Sequence, residues 1–457
     1  DIMKFSSSDI KRSEPELKTA FLFAGQGAQY VGMARELYEN NEEYRSIADR
    51  GFEIYRNISG TDLRDILYSD DGSQDEQAVK LMNTELTQTA LFITEYTLAK
   101  CLENKGITAD VTAGHSIGEY VSACLAEVFT YEDGVKIVAA RGRCMENSAE
   151  GSMLSVSANR EEVQRICGNV RISLYNSDNY VTLGGNETEI ADCESKLAEH
   201  GIQYRRIKVS HAYHTDYMKS ASEEFGEILK KYELHKPQRP FYSNVTGRMI
   251  TSDEAVSVEY WKKQMISPVR FSDIIKDISE SGKFIYAEIG TENILSHFVK
   301  DINKDAEIIS LLPHPKNKIS SEKKFILALG AFWSFGFYND YIRINDKCAD
   351  VPKAEIPLYP YIRKRFEPDD AEKCAAGRKE LVYNAEENND IRNNIKYNTE
   401  LEKNTACIFG DVLGRKNITP EQNFFELGGN SLLAVKLLNM VYDTFGIRLS
   451  MKELSGD

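Results

Sequence analysis

Gly114-His115-Ser116-Ile117-Gly118-Glu119-Tyr120 carries the pattern G-x-S-x-G, the turn that lifts a serine clear of a strand-to-helix junction. The glycines matter because the turn brings backbones close together, and a side chain at either flank would obstruct it. Its surroundings supply the context that the turn needs. Residues 109–113 read as a short strand, and Val121, Cys124, Leu125 and Val128 recur at helical spacing. Alone the pattern is weak, since about one chain in ten of this length shows it by chance at average glycine and serine usage. The rest of the sequence decides whether Ser116 is a nucleophile or a tight turn.

Working outward, residues 19–23 form an apolar run that ends in Ala24-Gly25-Gln26-Gly27, and a helix follows with Met33 and Leu37 on one face. Strand, glycine loop and helix open an α/β body. The loop is not G-x-G-x-x-G, so a dinucleotide site is not its reading. Leu86, Ile93, Leu98 and Cys101 predict a helix over 85–103, and another over 131–145 contains Arg141 and Arg143. The next segment alternates in the order βαββαβ: strand 153–156, helix 160–167, strands 170–175 and 180–183, helix 187–199, strand 202–209. That is a ferredoxin-like arrangement inserted at about 146–212 in the larger body, which leaves a cleft between two lobes.

Beyond the insert, 241–247 reads as a strand and turn, 284–290 as a buried strand, and a helix near 325–335 closes the body. Pro357 and Pro360 make 357–363 extended, and the charged, asparagine-rich stretch 367–396 reads as a flexible linker. A small helical unit follows, with Leu401, Ile408, Val412 and Leu413 on one helix and a second opening near Ser431. The expected domains are an N-terminal linker over 1–18, a catalytic body over 19–345, linkers over 346–396 and the helical unit over 397–457. Asp1 in place of Met suggests a piece excised from something longer.

A net charge of −15 argues against nucleic-acid or anionic-membrane partners, which want clustered lysine and arginine. The eight cysteines are scattered singly without C-x-x-C, and the seven histidines are dispersed. That pattern fits reduced thiols in the cytoplasm and gives no support to a metal site. No apolar run is long enough to span a membrane, and no signal-peptide core is present.

A serine hydroxyl attacks only with a base beside it and donors ready for the developing oxyanion. His211 and His214, just after the insert and separated by small Ala212, are candidate bases. The elbow offers the backbone N–H of Ile117 as one oxyanion donor, and the Gly25-Gln26-Gly27 loop is a suitable place for the second.

Residues 18–341 resemble the acyltransferase domains of modular polyketide synthases and fatty acid synthases, the malonyl-CoA:acyl-carrier-protein transacylase family. The shared strings are Ala24-Gly25-Gln26-Gly27-Ala28-Gln29, Gly114-His115-Ser116-Ile117-Gly118-Glu119, Arg141-Gly142-Arg143-Cys144-Met145, Gly151-Ser152-Met153-Leu154, His211-Ala212-Tyr213-His214 and Ser267-Pro268-Val269-Arg270-Phe271. The resemblance implies an α/β-hydrolase-like parallel-sheet body with Ser116 as acyl-accepting nucleophile and His214 as base. The amides of Gln26 and Ile117 would form the oxyanion hole, and Arg141 would grip the free carboxylate of a malonyl-type group. A guanidinium fork meets a carboxylate bidentately, and a monocarboxylic acyl group would leave it buried and unpaired. Gln264 stands where the family orients the histidine, although polyketide relatives more often have Asn. His115, His211, Tyr213 and Asn176 would line the pocket.

In that family His-Ala-Phe-His goes with malonyl and Tyr-Ala-Ser-His with methylmalonyl. His211-Ala212-Tyr213-His214 is closer to the first, with hydroxy- or aminomalonyl as the alternative if the Tyr213 hydroxyl meets a polar substituent. The C-terminal unit resembles an acyl carrier protein: Leu427-Gly428-Gly429-Asn430-Ser431-Leu432 matches the attachment motif, so Ser431 would bear 4′-phosphopantetheine. The resemblance implies a carrier over 397–457 whose final helix is expected to be missing after Asp457. The double glycine is commoner in peptidyl carriers, pointing to polyketide or hybrid polyketide/peptide biosynthesis with partners such as a ketosynthase. A coenzyme A thioester is the implied substrate, and a serine hydrolase or thioesterase using the same Ser–His pair is the competing reading.

Overall fold

The computed structural model describes residues 17–68, 74–337, 399–413 and 431–445, together with Ile418, Thr419, Gln422, Phe424 and Leu427. The expected N-terminal linker before residue 17, the 346–396 linkers with the 357–363 segment, and Gly428-Gly429-Asn430 lie outside the described residues. The chain divides into two compact units, Asp1–Asp340 with Phe424–Asp457, and Tyr341–Asn423.

Two sheets organise the first unit. Strand β1 (Lys18–Phe23) and β2 (Val111–Gly114) are followed by the four strands of the insert: β3 (Ser152–Val156), β4 (Arg171–Tyr175), β5 (Val181–Gly185) and β6 (Tyr204–Ile207). The chain then returns to the body for β7 (Phe284–Thr291) and β8 (Glu307–Leu312). The body sheet is parallel, in the order β2-β1-β7-β8. Helices bury such strands on both faces, so they read as apolar runs, and every residue of β7 is buried.

The insert has the antiparallel order β4-β5-β3-β6, with helices Arg160–Cys167 and Glu187–Glu199 in the predicted βαββαβ sequence. Leu154, Val156, Val181 and Leu183 pack with Val163, Ile166, Ile190 and Leu197 of those helices into its core. The fold is therefore α/β, with a ferredoxin-like insert.

One expectation needs correction, and one strand was missed. Residues 241–247 do not form a strand: Phe241 makes one bridge to Thr112 and Tyr242 one to Met249. The Ser243 hydroxyl accepts from the N–H groups of Val245 and Thr246, turning the chain before a ladder can extend. Strand β8 went unread because its accessibility changes along its length, from an exposed Glu307 to a buried Leu312, which gives neither alternation nor a clean apolar run.

In the carrier-like region helices span Glu400–Leu413 and Ser431–Phe445. No helix among the described residues is long and apolar enough to cross a membrane.

Candidate active site

Phe23 at the end of β1 is in register with Gly114 at the end of β2, so the Gly25-Gln26-Gly27 loop and the serine elbow leave the sheet side by side. The carboxyl ends of parallel strands are where open α/β sheets build ligand crevices. The elbow is as tight as its glycines require. A Cβ on Gly118 would collide with the carbonyl oxygen of Phe23, and one on Gly114 with the backbone of Gly118 and Glu119.

Ser116 takes a φ of 55°, a left-handed conformation that costs a non-glycine residue energy and persists only when its surroundings fix it. Two amide side chains fix it. Asn244 Oδ1 accepts from Ser116 N–H at 2.7 Å while Asn244 Nδ2 donates to Gly114 C=O at 2.6 Å. Gln264 Nε2 donates to Ser116 C=O at 2.9 Å. Under the elbow lies Glu119, fully buried, its carboxyl pushed up to about 7 by burial against hydrogen bonds from Tyr260, Gln264 and Asn244 N–H.

Ser116 Oγ lies 2.6 Å from His214 Nε2. The other ring nitrogen, Nδ1, is 3.0 Å from the Gln264 carbonyl oxygen and 3.1 Å from that of Ser267. Two carbonyls can only accept, so Nδ1 carries the proton and Nε2 presents its lone pair to the serine. Burial, then the charges of Arg141 and His115, drive the His214 pKa down to about 3, which keeps the imidazole neutral. Of the two histidines, His214 is the one within hydrogen-bond reach of Ser116 Oγ, while His211 Nδ1 is engaged by Ser210 Oγ at 2.7 Å.

Among the described residues, neither the Gln26 nor the Ile117 backbone N–H finds an acceptor. Unpaired N–H groups are rare in folded chains, and two on loops flanking a serine can receive an oxyanion.

Arg141 comes from helix Tyr131–Glu146 and is fully buried. Its Nη1 donates to Gln88 Oε1 at 2.6 Å and its Nη2 to Gln264 Oε1 at 3.2 Å, and the guanidinium sits 5.1 Å from the Tyr120 ring centre. Nε has no partner. No carboxylate among the described residues forms an ion pair with it, and burial pushes its pKa down. A buried cation held by neutral groups is costly and is poised for an anion.

Tyr213 lies over the same region with its hydroxyl already engaged, 2.7 Å from Thr84 Oγ1 and accepting from Gln26 Nε2 at 3.4 Å. The hydroxyl expected to meet a polar substituent is thus committed within the protein. His115 Nε2 is 2.9 Å from Asn176 Oδ1, tying the elbow to the insert. A cleft of about 500 Å³ runs between body and insert, lined by Gln26 and His115 on one side and Asn176 on the other. Ser116, Arg141, His211, Tyr213 and His214 are not among its lining residues, but His115 places its inner end beside the serine.

Sequence reasoning missed Asn244, Gln88 and Thr84. A trace existed for the last two: helix Thr84–Asn104 is rich in polar residues and buries Thr84, Thr87, Gln88, Thr89, Thr94, Glu95 and Thr97 among its apolar ones.

Fold and site together define a serine-centred acyl-group enzyme. The chain belongs to the acyl transferase domain family, whose model matches residues 20–328, and a phosphopantetheine attachment site model matches residues 406–456. It is 30% identical over 432 residues to a component of the phenolphthiocerol/phthiocerol polyketide synthase of Mycobacterium tuberculosis. That match covers 92% of this chain, which spans 28% of the relative's length. Among solved structures the acyl transferase domain of ZmaA is similar, with a TM-score of 0.69 and 30% identity over 77% of this chain and 81% of that one. MCAT from Streptococcus pneumoniae aligns with a TM-score of 0.57 and 30% identity, covering 64% of this chain and 95% of that one.

Proposed function

We propose that the chain takes a malonyl-type extender unit from coenzyme A onto Ser116 and passes it to a carrier thiol in polyketide or hybrid polyketide/peptide biosynthesis. The observation that carries this reading is Arg141, buried beside the serine without a carboxylate partner. His214 Nε2 takes the Ser116 proton as Oγ attacks the thioester carbonyl, and the oxyanion meets the N–H groups of Gln26 and Ile117. Collapse expels the coenzyme A sulfur, which leaves with the proton from His214. An acceptor thiol then gives its proton to His214 and attacks the Ser116 ester, and Oγ departs with that proton.

Within the malonyl class, Tyr213 pinned by Thr84 and Gln26 supports the unsubstituted unit over methylmalonyl. The same engagement weighs against hydroxy- or aminomalonyl. Ser431 opens a 15-residue helix, a terminus that suits a phosphate, and would hold the 4′-phosphopantetheine. Bound there, the group supplies the accepting thiol. A neighbouring ketosynthase is the consumer this chemistry needs, and the free cysteines suit the reducing cytoplasm. A serine hydrolase would place a carboxylate behind its histidine, where this chain has two carbonyls.

Intact-protein mass spectrometry after exposure to malonyl-, methylmalonyl- and acetyl-CoA tests the reading, with and without a phosphopantetheinyl transferase. Malonyl on Ser116 and an added arm on Ser431 are expected. Equal loading of methylmalonyl would overturn the extender assignment, and rapid loss to water without transfer would favour the hydrolase.

A further inference from the structure

Helix Thr84–Asn104 carries an acid where its neighbours predict an aliphatic side chain. Glu95 shares a helical face with Leu91, Leu98 and Ala99, and none of the four is more than 1% exposed. An acid in such a place costs free energy that a leucine would not. Burial pushes the Glu95 pKa well above the usual carboxylate range, so near neutrality it is the uncharged acid. Its Oε2 finds no partner. Its one hydrogen bond among the described residues is accepted by Oε1 from Ala24 N–H, at 2.8 Å.

Ala24 is where β1 becomes the Gly25-Gln26-Gly27 loop. Strand β1 is last in register with β7 at Leu22 and with β2 at Phe23, so the Ala24 N–H lies beyond both ladders. Glu95 supplies the acceptor that the sheet no longer does. The loop is held again at its far end, where Ala28 C=O accepts from Thr291 Oγ1 at 3.0 Å. Thr291 is buried at the end of β7, where β7 and β8 slip register after Glu288, an irregularity of the kind that re-aims a side chain beside a site. Between these two holds, Ala28 N–H closes a turn onto Gly25 C=O at 3.3 Å and Gly27 N–H goes to Gln29 Oε1 at 2.7 Å. The Gln26 N–H is left without an acceptor among the described residues.

We propose that Glu95 and Thr291 are positioning residues of the oxyanion hole, clamping the backbone at Ala24 and Ala28 so that the Gln26 N–H between them stays aimed at the charge that develops when Ser116 attacks a carbonyl. The assignment rests on the oxyanion role given to Gln26 above and not on the acyl group selected.

The test is single-turnover acylation of Ser116 in the full chain by malonyl-CoA and, separately, by p-nitrophenyl acetate, comparing wild type with Glu95→Leu, Glu95→Gln, Thr291→Val and Thr291→Ser. A group misplaced by about 1 Å can cost on the order of a hundredfold. Glu95→Leu and Thr291→Val should therefore lower the maximal rate roughly tenfold to a hundredfold with either reagent, with half-saturation by malonyl-CoA moving less than about twofold. Glu95→Gln keeps a neutral acceptor and Thr291→Ser keeps the hydroxyl, so both should stay within about threefold of wild type. A wild-type maximal rate in Glu95→Leu or in Thr291→Val removes that residue from the clamp, and in both overturns the proposal. A loss carried by half-saturation alone, or an equal loss in the glutamine and serine variants, also overturns it. Should Glu95→Leu fail to fold, as judged by its melting temperature, Thr291→Val against Thr291→Ser decides by the same criteria. Rate losses with the ester in a chain whose wild type takes no malonyl would overturn the malonyl reading and leave the clamp standing.

Discussion

Replacing Arg141 by alanine separates recognition of a dicarboxylic acyl group from serine chemistry in general. Arg141 is fully buried, so solvent screens little of what it does to a bound carboxylate. Removing one member of a buried, hydrogen-bonded charge pair costs about 2–5 kcal/mol, or roughly 30-fold to several-thousand-fold in rate at 1.4 kcal/mol per tenfold. A second consequence runs the other way. The Arg141 charge is one of the causes depressing the His214 pKa, so the variant has a stronger base. The net fall in malonyl loading should therefore lie near the middle, on the order of a hundredfold. Acetyl loading should hold or rise, because acetyl leaves the wild-type guanidinium unpaired and the variant has none to strand. Arg141→Lys keeps the charge without the fork and should fall between. Single-turnover acylation of Ser116 by malonyl- and acetyl-CoA, read by intact mass, gives both rates. Equal losses for the two acyl groups, or no loss for either, would refute the role.

Three further outcomes follow from the same geometry. With the His214 pKa near 3, any limb of the acylation rate between pH 5 and 8 should come from the Glu119 carboxyl, raised to about 7, and a limb near 6.5 that persists in Glu119→Gln would contradict the buried neutral base. Because the folded chain binds the His214 proton less readily than the unfolded chain, stability should fall as pH drops from 6.5 toward 3, by up to about 1.4 kcal/mol per unit, measurable by denaturant titration. Thr84→Val and Tyr213→Phe each release the Tyr213 ring from a hydrogen bond worth about 1 kcal/mol. The methylmalonyl-to-malonyl loading ratio should rise up to about fivefold, and an unchanged ratio would remove Tyr213 as the gate. Gly118→Ala drives a Cβ into the Phe23 carbonyl and should cost about 3 kcal/mol, seen as a lowered melting temperature.

What the sequence made legible follows physical lines. Residues 153–207 were readable because the insert is antiparallel with helices on one face, so its strands and helices keep distinct periods. Helices Arg160–Cys167 and Glu187–Glu199 were found to the residue, helped by Asn159 and Asn186 as N-caps. The body strands β1 and β7 stood out as buried apolar runs, whereas edge strand β8 did not. At the site, the residues of the Ser116–His214 pair stood out because one sits in a G-x-S-x-G turn and the other in a short histidine motif just after the insert. Asn244 did not, since its importance lies in reaching Ser116 N–H and Gly114 C=O from 130 residues away, a closure no local pattern records.

Gln264 shows why the histidine here is steered by carbonyls and not by a carboxylate. Its main-chain oxygen orients His214 Nδ1, while its side-chain Oε1 holds Arg141 and its Nε2 holds Ser116 C=O. One residue thus ties base, nucleophile and cation together within a buried space. An aspartate there would orient the imidazole equally well, but its charge would pair with Arg141 and fill the place a substrate carboxylate needs. Neutral carbonyls fix the tautomer and leave the guanidinium unspent. Glu119, the nearest buried acid, is consistent with this: burial raises it to about 7, so near neutrality its charge is only partly expressed beside the arginine. Orientation of the base without a competing negative charge is therefore the condition under which a buried arginine can select a dicarboxylic acyl group.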